Sequence, residues 1–261
     1  LLLKPFVQTK RSSASLMQVP LADCNACVHR DTLLSNGKCV PGDICLIAKS
    51  GRQIDGFLRR NPEFAQDCLR DNFWERRAIA ARYAPLNAVK NMEWDKDEVV
   101  RRVVASRLPI DELEGYLKDT DREVRMTVAE RIAPEKLGAL ISDPDYLVRL
   151  QVAKRLPHGQ LRRMTHDPDR EVRKEVARRI PPFALNLLAK DEEAEVRRII
   201  AARMLPDDAA RMLADCDWLV RLEAALSAPL EAITKLQDDA ESDVREVVYR
   251  RLDGLLRKDE T

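Results

Sequence analysis

Residues 119–134 read Asp-Thr-Asp-Arg-Glu-Val-Arg-Met-Thr-Val-Ala-Glu-Arg-Ile-Ala-Pro. The Val124-Arg125 pair at the centre of this string recurs as Val100-Arg101, Val148-Arg149, Val172-Arg173, Val196-Arg197, Val220-Arg221 and Val244-Arg245. The spacing is 24 residues with no slippage. Self-similarity at a fixed period of this size marks a stacked-repeat architecture. An earlier, degenerate copy fits Arg76, one residue out of phase, which gives eight copies over roughly residues 63–253.

With each anchor Arg as position 0, Asp stands at −6 (Asp95, Asp119, Asp143, Asp167, Asp191, Asp215, Asp239). A second acid stands at −4, an aliphatic residue at +3, Ala at +4 in most copies and an apolar residue at +7, with Pro close behind. Apolar positions −1, +3, +4 and +7 share one face of a helix. The acid at −4 suits an N-cap and the helix dipole, and the proline stops the helix. The other apolar positions, −12 and −9 (Leu113/Tyr116, Leu137/Leu140, Leu161/Met164, Leu185/Leu188), are three apart in a short segment, which fits a 3₁₀ turn. No unit can bury its apolar face alone, so stacking must supply the core. The expected fold class is all-α: a solenoid of 24-residue repeats, each one α-helix plus a short 3₁₀ helix, behind a small N-terminal metal-cluster domain. The expected divisions are an arm at 1–19, a four-Cys domain at 20–62, the repeats at 63–253 and a tail at 254–261.

The Asp…Val-Arg…Val-Ala…Arg-Leu-Pro unit resembles the leucine-rich repeat variant family over about three quarters of the chain. That resemblance implies alternating α and 3₁₀ helices in a right-handed superhelix without the strands of ordinary leucine-rich repeats. The core pattern is also similar to HEAT-like repeats, but those use longer two-helix units.

The N-terminal cysteines follow Cys24-x2-Cys27-x11-Cys39-x5-Cys45. Four thiolates within so short a stretch suit one metal centre, either tetrahedral zinc or an iron–sulfur cluster, and spacing alone leaves both open. Cys39-Val40-Pro41-Gly42 lies at a turn whose backbone N–H groups could face cluster sulfurs. A four-Cys segment ahead of this repeat resembles the 4Fe-4S segment of leucine-rich repeat variant proteins. The resemblance implies a 4Fe-4S cluster on Cys24, Cys27, Cys39 and Cys45, with zinc as the alternative. Members of that family occur in nitrogen-fixing bacteria, which implies an accessory redox role. His29 could replace one cysteine, but the cysteine set is complete without it. Cys68 sits near the −9 slot of the first repeat and reads as a buried small hydrophobe. Cys216, between Asp215 and Asp217, reads as an incidental thiol.

Composition bounds the rest. The 261 residues hold 45 Lys+Arg against 44 Asp+Glu, with 34% charged and only 5% aromatic. A simple polybasic nucleic-acid binder and an acidic disordered chain are excluded. Residues 1–62 carry nine basic and four acidic residues, so the near-zero total is a basic segment offset by an acidic repeat array. No apolar run approaches the roughly 20 residues of a membrane span, and Leu1-Leu2-Leu3-Lys4-Pro5 is too short for a secretory signal. A soluble cytoplasmic monomer is expected, with no membrane contact. No glycine-rich phosphate loop, nucleophile elbow or HExxH motif occurs, and acid pairs repeated in every unit are structural, so an enzyme reading has no residue support beyond the four cysteines.

Arg also recurs at +6, as Arg107, Arg131, Arg155, Arg179 and Arg203. This row reads either as a ladder of inter-repeat ion pairs with the −6 and −4 acids or as a polyanion or partner face. The anchor Arg projects into the apolar stripe and needs a partner there, for which the Asp at −6 is the candidate. Trp74, Trp94 and Trp218 fall at repeat turns, too few for a base-stacking platform. The sequence therefore leads to an iron–sulfur protein with a helical-repeat scaffold, working in redox-linked interaction or electron transfer with an unidentified macromolecule, a protein ahead of a nucleic acid. The alternative is a nucleic-acid-binding solenoid with a structural zinc or cluster.

Overall fold

The computed structural model describes residues 22–256, and the arm at 1–19 lies outside them. The long helices are α1 (Gly51–Arg60), α2 (Trp74–Tyr83), α3 (Glu98–Arg107), α4 (Arg122–Arg131), α5 (Tyr146–Arg155), α6 (Arg170–Arg179), α7 (Ala194–Arg203), α8 (Trp218–Ser227) and α9 (Ser242–Leu256). Each repeat helix spans ten residues except the last. The expected tail at 254–261 thus begins inside α9. Among the described residues there is no strand, only the isolated bridge between Val40 and Ile44. No described helix is long and apolar enough to cross a membrane.

Helix starts follow the −4 acid. The carboxylates of Asp121, Asp169 and Asp217 each accept two backbone N–H bonds from the first turn, and Asp145 accepts one from Leu147. Such a cap contributes about 1 kcal/mol. Glu193, one methylene longer, makes no side-chain cap. Between helices the −12 and −9 residues build the 3₁₀ segments Ile110–Lys118, Pro134–Leu140, His158–Met164 and Pro182–Leu187. Elsewhere the segment opens with one α-turn, as at Leu86–Val89, Pro206–Ala209 and Leu230–Ile233.

Contacts divide the chain into two units, 1–107 and 108–261. The boundary expected between 62 and 63 falls inside the first. In that unit α1 packs on α2 and α2 on α3, around fully buried Ile54, Phe57, Val100 and Val104. In the second unit each helix from α4 to α9 packs on the next. Its core repeats with the sequence: Val124, Val148, Val172 and Val196 at −1 and Leu113, Leu137 and Leu161 at −12 are all fully buried. Burying each such side chain contributes about 1.5–3 kcal/mol. Ala129, Ala153 and Ala177 at +4 are also fully buried, and their small size lets adjacent helices approach.

The anchor Arg does more than the sequence reading assigned. Arg125 donates from Nε and Nη2 to Asp143, at 2.7 and 3.0 Å, and from Nη1 to the carbonyl of Asp119 at 2.8 Å. The carboxylate therefore comes from the −6 Asp of the following repeat, while the Arg's own repeat supplies a carbonyl. The pattern returns at Arg149–Asp167, Arg173–Asp191, Arg197–Asp215 and Arg221–Asp239. Each −6 carboxylate also accepts the backbone N–H of its own −4 residue, as Asp143 does from Asp145 at 2.9 Å. One aspartate thus shapes its own turn and locks the preceding repeat.

The same geometry corrects the first repeat. Arg77, not Arg76, is its anchor: it donates to both oxygens of Asp95 at 2.8 Å and to the carbonyl of Asp71 at 2.8 Å. Arg77 lies 24 residues before Arg101, so the phase is kept. Arg76 fills the −1 slot that holds Val elsewhere and reaches Asp71 and the carbonyl of Ala48.

These pairs set an acid limit on stability. The hydrogen bond from Arg221 holds the Asp239 carboxyl below its ordinary range against partial burial, helped by the N–H of Glu241. Burial pushes Asp95 and Asp215 up, but Arg77 or Arg197 and a backbone N–H outweigh it, leaving both lowered. A carboxyl lowered on folding stabilises fully above its unfolded pKa of about 3.9 and loses that contribution as pH falls through the folded value. Urea midpoints are expected to hold from pH 7 to 5 and fall below about 4. A fall between pH 7 and 5 would contradict this assignment.

Candidate metal centre

The cysteine segment is shaped by a series of tight turns packed against one helix. Asp23 accepts the N–H groups of Asn25 and Ala26 at 2.8 and 3.4 Å, bending the chain between Cys24 and Cys27. A single π-turn, Arg30–Leu34, follows. Gly37 at φ 65° then reverses the chain, a conformation that costs a residue with a Cβ but not glycine. Val40 and Ile44 exchange both backbone hydrogen bonds, at 2.8 and 2.9 Å, around Pro41-Gly42-Asp43, with Gly42 at φ 80°. Cys39 and Cys45 each lie one residue outside this bridge.

Helix α1 holds this hairpin in place. The Gln53 side chain donates from Nε2 to the carbonyl of Gly42 at 2.7 Å, and its backbone carbonyl accepts the N–H of Cys45 at 3.2 Å. Asn61, at the C-terminus of α1, donates to the carbonyl of Lys38 at 3.1 Å. Lys38 pairs with Glu63 at 2.8 Å and lies over the Phe64 ring. Gln53 and Asn61 are buried polar residues that pattern reading passed over, because neither is a ligand type.

All four cysteines line one small cavity of about 20 Å³, whose walls also include His29, Arg30, Leu34, Pro41 and Ile44. The thiols are free and half-buried. Burial raises the Cys39 thiol above its ordinary value, and the neighbouring Cys45, Cys24 and Cys27 raise it further. Four thiolates here would repel one another, and bound iron or zinc relieves that repulsion by holding them deprotonated. Among the described residues no three His, Cys, Asp or Glu side chains are already gathered tightly enough to hold one ion. The donor set, four cysteines on one small cavity, fits a metal group bound by thiolates. Cys68 is buried, and Cys216 is exposed with Arg197 Nη2 3.5 Å from its sulfur.

The +6 arginines have a different occupation from the ion-pair ladder. Arg155 donates to the carbonyls of Ala129 and Ile132 at 2.6 and 2.9 Å. Arg107 reaches Ala81 and Ala84, Arg131 reaches Leu108, Arg179 reaches Ala153, and Arg203 reaches Ala177 and Ile180. These are the end carbonyls of the preceding helix, left without N–H partners where the chain breaks out. A cation there also suits the helix dipole. Burial lowers the pKa of Arg203, as expected where carbonyls rather than a carboxylate surround it. Replacing Arg131, Arg155 and Arg179 together with Ala should lower stability by about 3 kcal/mol, roughly 1 per half-buried charged donor, read by thermal and urea unfolding. Lost polyanion binding at unchanged stability would instead favour the binding-face reading.

A four-cysteine segment ahead of an Arg-Asp-locked helical repeat defines a helical-repeat protein with a candidate thiolate metal centre. Residues 20–67 match the family described as "LRV protein FeS4 cluster", and residues 146–169 match "Leucine rich repeat variant". A solved structure described as a leucine-rich repeat variant with a novel repetitive protein structural motif is 50% identical, with a TM-score of 0.83 over 88% of this chain and 98% of that one. The chain belongs to the leucine-rich repeat variant family. It is also 39% identical over 86 residues to an uncharacterized 27.7 kDa protein in the nifB 3′ region of Rhodobacter capsulatus. That match covers 33% of this chain and 35% of the other.

Proposed function

We propose that the protein is a 4Fe-4S protein whose repeats form a docking scaffold, and that it works by electron transfer or redox-linked interaction with a protein partner. The observation that carries this reading is the convergence of Cys24, Cys27, Cys39 and Cys45 on one cavity, within the stretch matched by the iron–sulfur family. A cluster bound there supplies one-electron chemistry. The chain's own part is to hold four thiolates on the hairpin and the Cys24–Cys27 turn, and to line the cavity with the apolar Leu34, Pro41 and Ile44. A protein partner suits a scaffold with few aromatics and with its +6 guanidinium donors already on carbonyls. Arg107, Arg131, Arg155, Arg179 and Arg203 would then serve the partner face indirectly, by fixing helix spacing.

Anaerobically purified protein tests this. Iron and acid-labile sulfide in equal amounts, with broad visible absorbance that bleaches with dithionite, is the expected result. Colourless protein holding one zinc would overturn it.

A further inference from the structure

We propose that Arg30 is the charge-compensating residue of the four-cysteine centre, a fixed cation at the cavity wall that raises the reduction potential of the group held there. The inference rests on the cluster reading above. Three observations place the cation. Arg30 lines the same cavity as all four cysteines. Its backbone N–H donates to the carbonyl of Cys27 at 3.1 Å, which ties the Arg30 backbone to that of one cysteine. Its Nη1 donates to the side-chain oxygen of Asn25 at 3.2 Å, which holds the guanidinium against the loop between Cys24 and Cys27. Asp23 in turn pins Asn25 through its N–H.

The charge is also unspent. Arg30 makes no ion pair among the described residues, and residues 1–21 contain no Asp or Glu to neutralise it. By contrast Lys38 and Arg52 in the same segment are paired with Glu63 and Asp43. The thiolates and sulfides of such a cluster would together carry more negative charge than its irons cancel, and reduction would add another electron. A cation at the wall attracts the reduced form more than the oxidised one, so it favours reduction. Arg30 is exposed, so water and salt weaken the attraction without abolishing it.

The test is a redox titration of the cluster-loaded full chain, followed by absorbance and electron paramagnetic resonance, for wild type, Arg30→Gln and Arg30→Lys. Gln keeps a hydrogen-bond donor and loses the charge, while Lys keeps the charge. Arg30→Gln is expected to lower the equilibrium constant for reduction about tenfold, a negative shift of about 59 mV for one electron. Arg30→Lys should stay near wild type, and the gap between the two variants should shrink at high salt. Equal iron content and far-ultraviolet circular dichroism show that the variants fold and load alike. A coloured wild type with an Arg30→Gln potential unchanged from it overturns the role of Arg30 and leaves the cluster reading intact. A shift in Arg30→Lys as large as in Arg30→Gln also overturns it, because charge would not be the cause. A colourless wild type overturns the cluster reading, and with it this one, before any variant is compared.

Discussion

Replacing Arg149 with Met is expected to cost about 3–5 kcal/mol, the usual loss when one partner of a buried ion pair is removed. Arg149 and Asp167 are 8% and 7% exposed, so neither charge is left to water. Arg149 reaches both oxygens of Asp167, at 2.8 and 3.0 Å, and the carbonyls of Asp143 and Pro144 at 2.8 and 3.3 Å. Its removal strands a buried carboxylate and two carbonyls in neighbouring repeats at once. Methionine fills much of the volume, so the loss reports the polar contacts rather than a cavity. Adding Asp167→Asn should return part of the stability. The buried charge disappears, while the amide oxygen can still accept the Asp169 N–H that Asp167 accepts at 2.9 Å. Urea unfolding and amide exchange in α5 and α6 measure both, since repeat arrays need not unfold in one step. An Arg149→Met variant within 1 kcal/mol of wild type, roughly the worth of an exposed pair, would show that these pairs do not lock the stack.

Replacing Cys45 with Ala is expected to abolish the visible absorbance and unfasten the hairpin. Cys45 and Cys39 each lie one residue outside the Val40–Ile44 bridge and line one cavity, so on the cluster reading the substitution removes one of four ligands. The segment has little else to hold it. Between residues 22 and 50 the buried apolar residues are Leu33, Ile44, Leu46 and Ala48, a core too small to fold alone, and metal binding supplies folding free energy in such segments. Protection from amide exchange over residues 38–46 should fall sharply, while residues 108–256 keep their helical signal and exchange. A Cys45→Ala variant that retains full colour would remove Cys45 from the ligand set.

Much of this was legible because the chain writes one unit many times. The Asp at −6, the cap at −4 and the proline after +7 each have a local cause, and repetition separated those causes from accident. The partners of the long side chains were harder to read. An arginine can reach acids at −6 or −4 in its own repeat or the next, and only stacking decides that Arg125 meets Asp143. The +6 arginines read either as an ion-pair ladder or as a partner face, because carbonyl acceptors leave no trace in the side-chain pattern. Arg77 was missed because Arg76 occupies its preceding Val slot and mimics the anchor. At the candidate metal centre, the four cysteines announce themselves by type and spacing, whereas Gln53 and Asn61 act through contacts that residue type does not reveal.

The most direct test of the central claim is native mass spectrometry of the anaerobically purified protein. The cluster reading predicts a mass increase of four irons and four sulfides, less the thiol protons of Cys24, Cys27, Cys39 and Cys45, and loss of that increase in Cys45→Ala. An increase of a single zinc on the wild-type chain would contradict it.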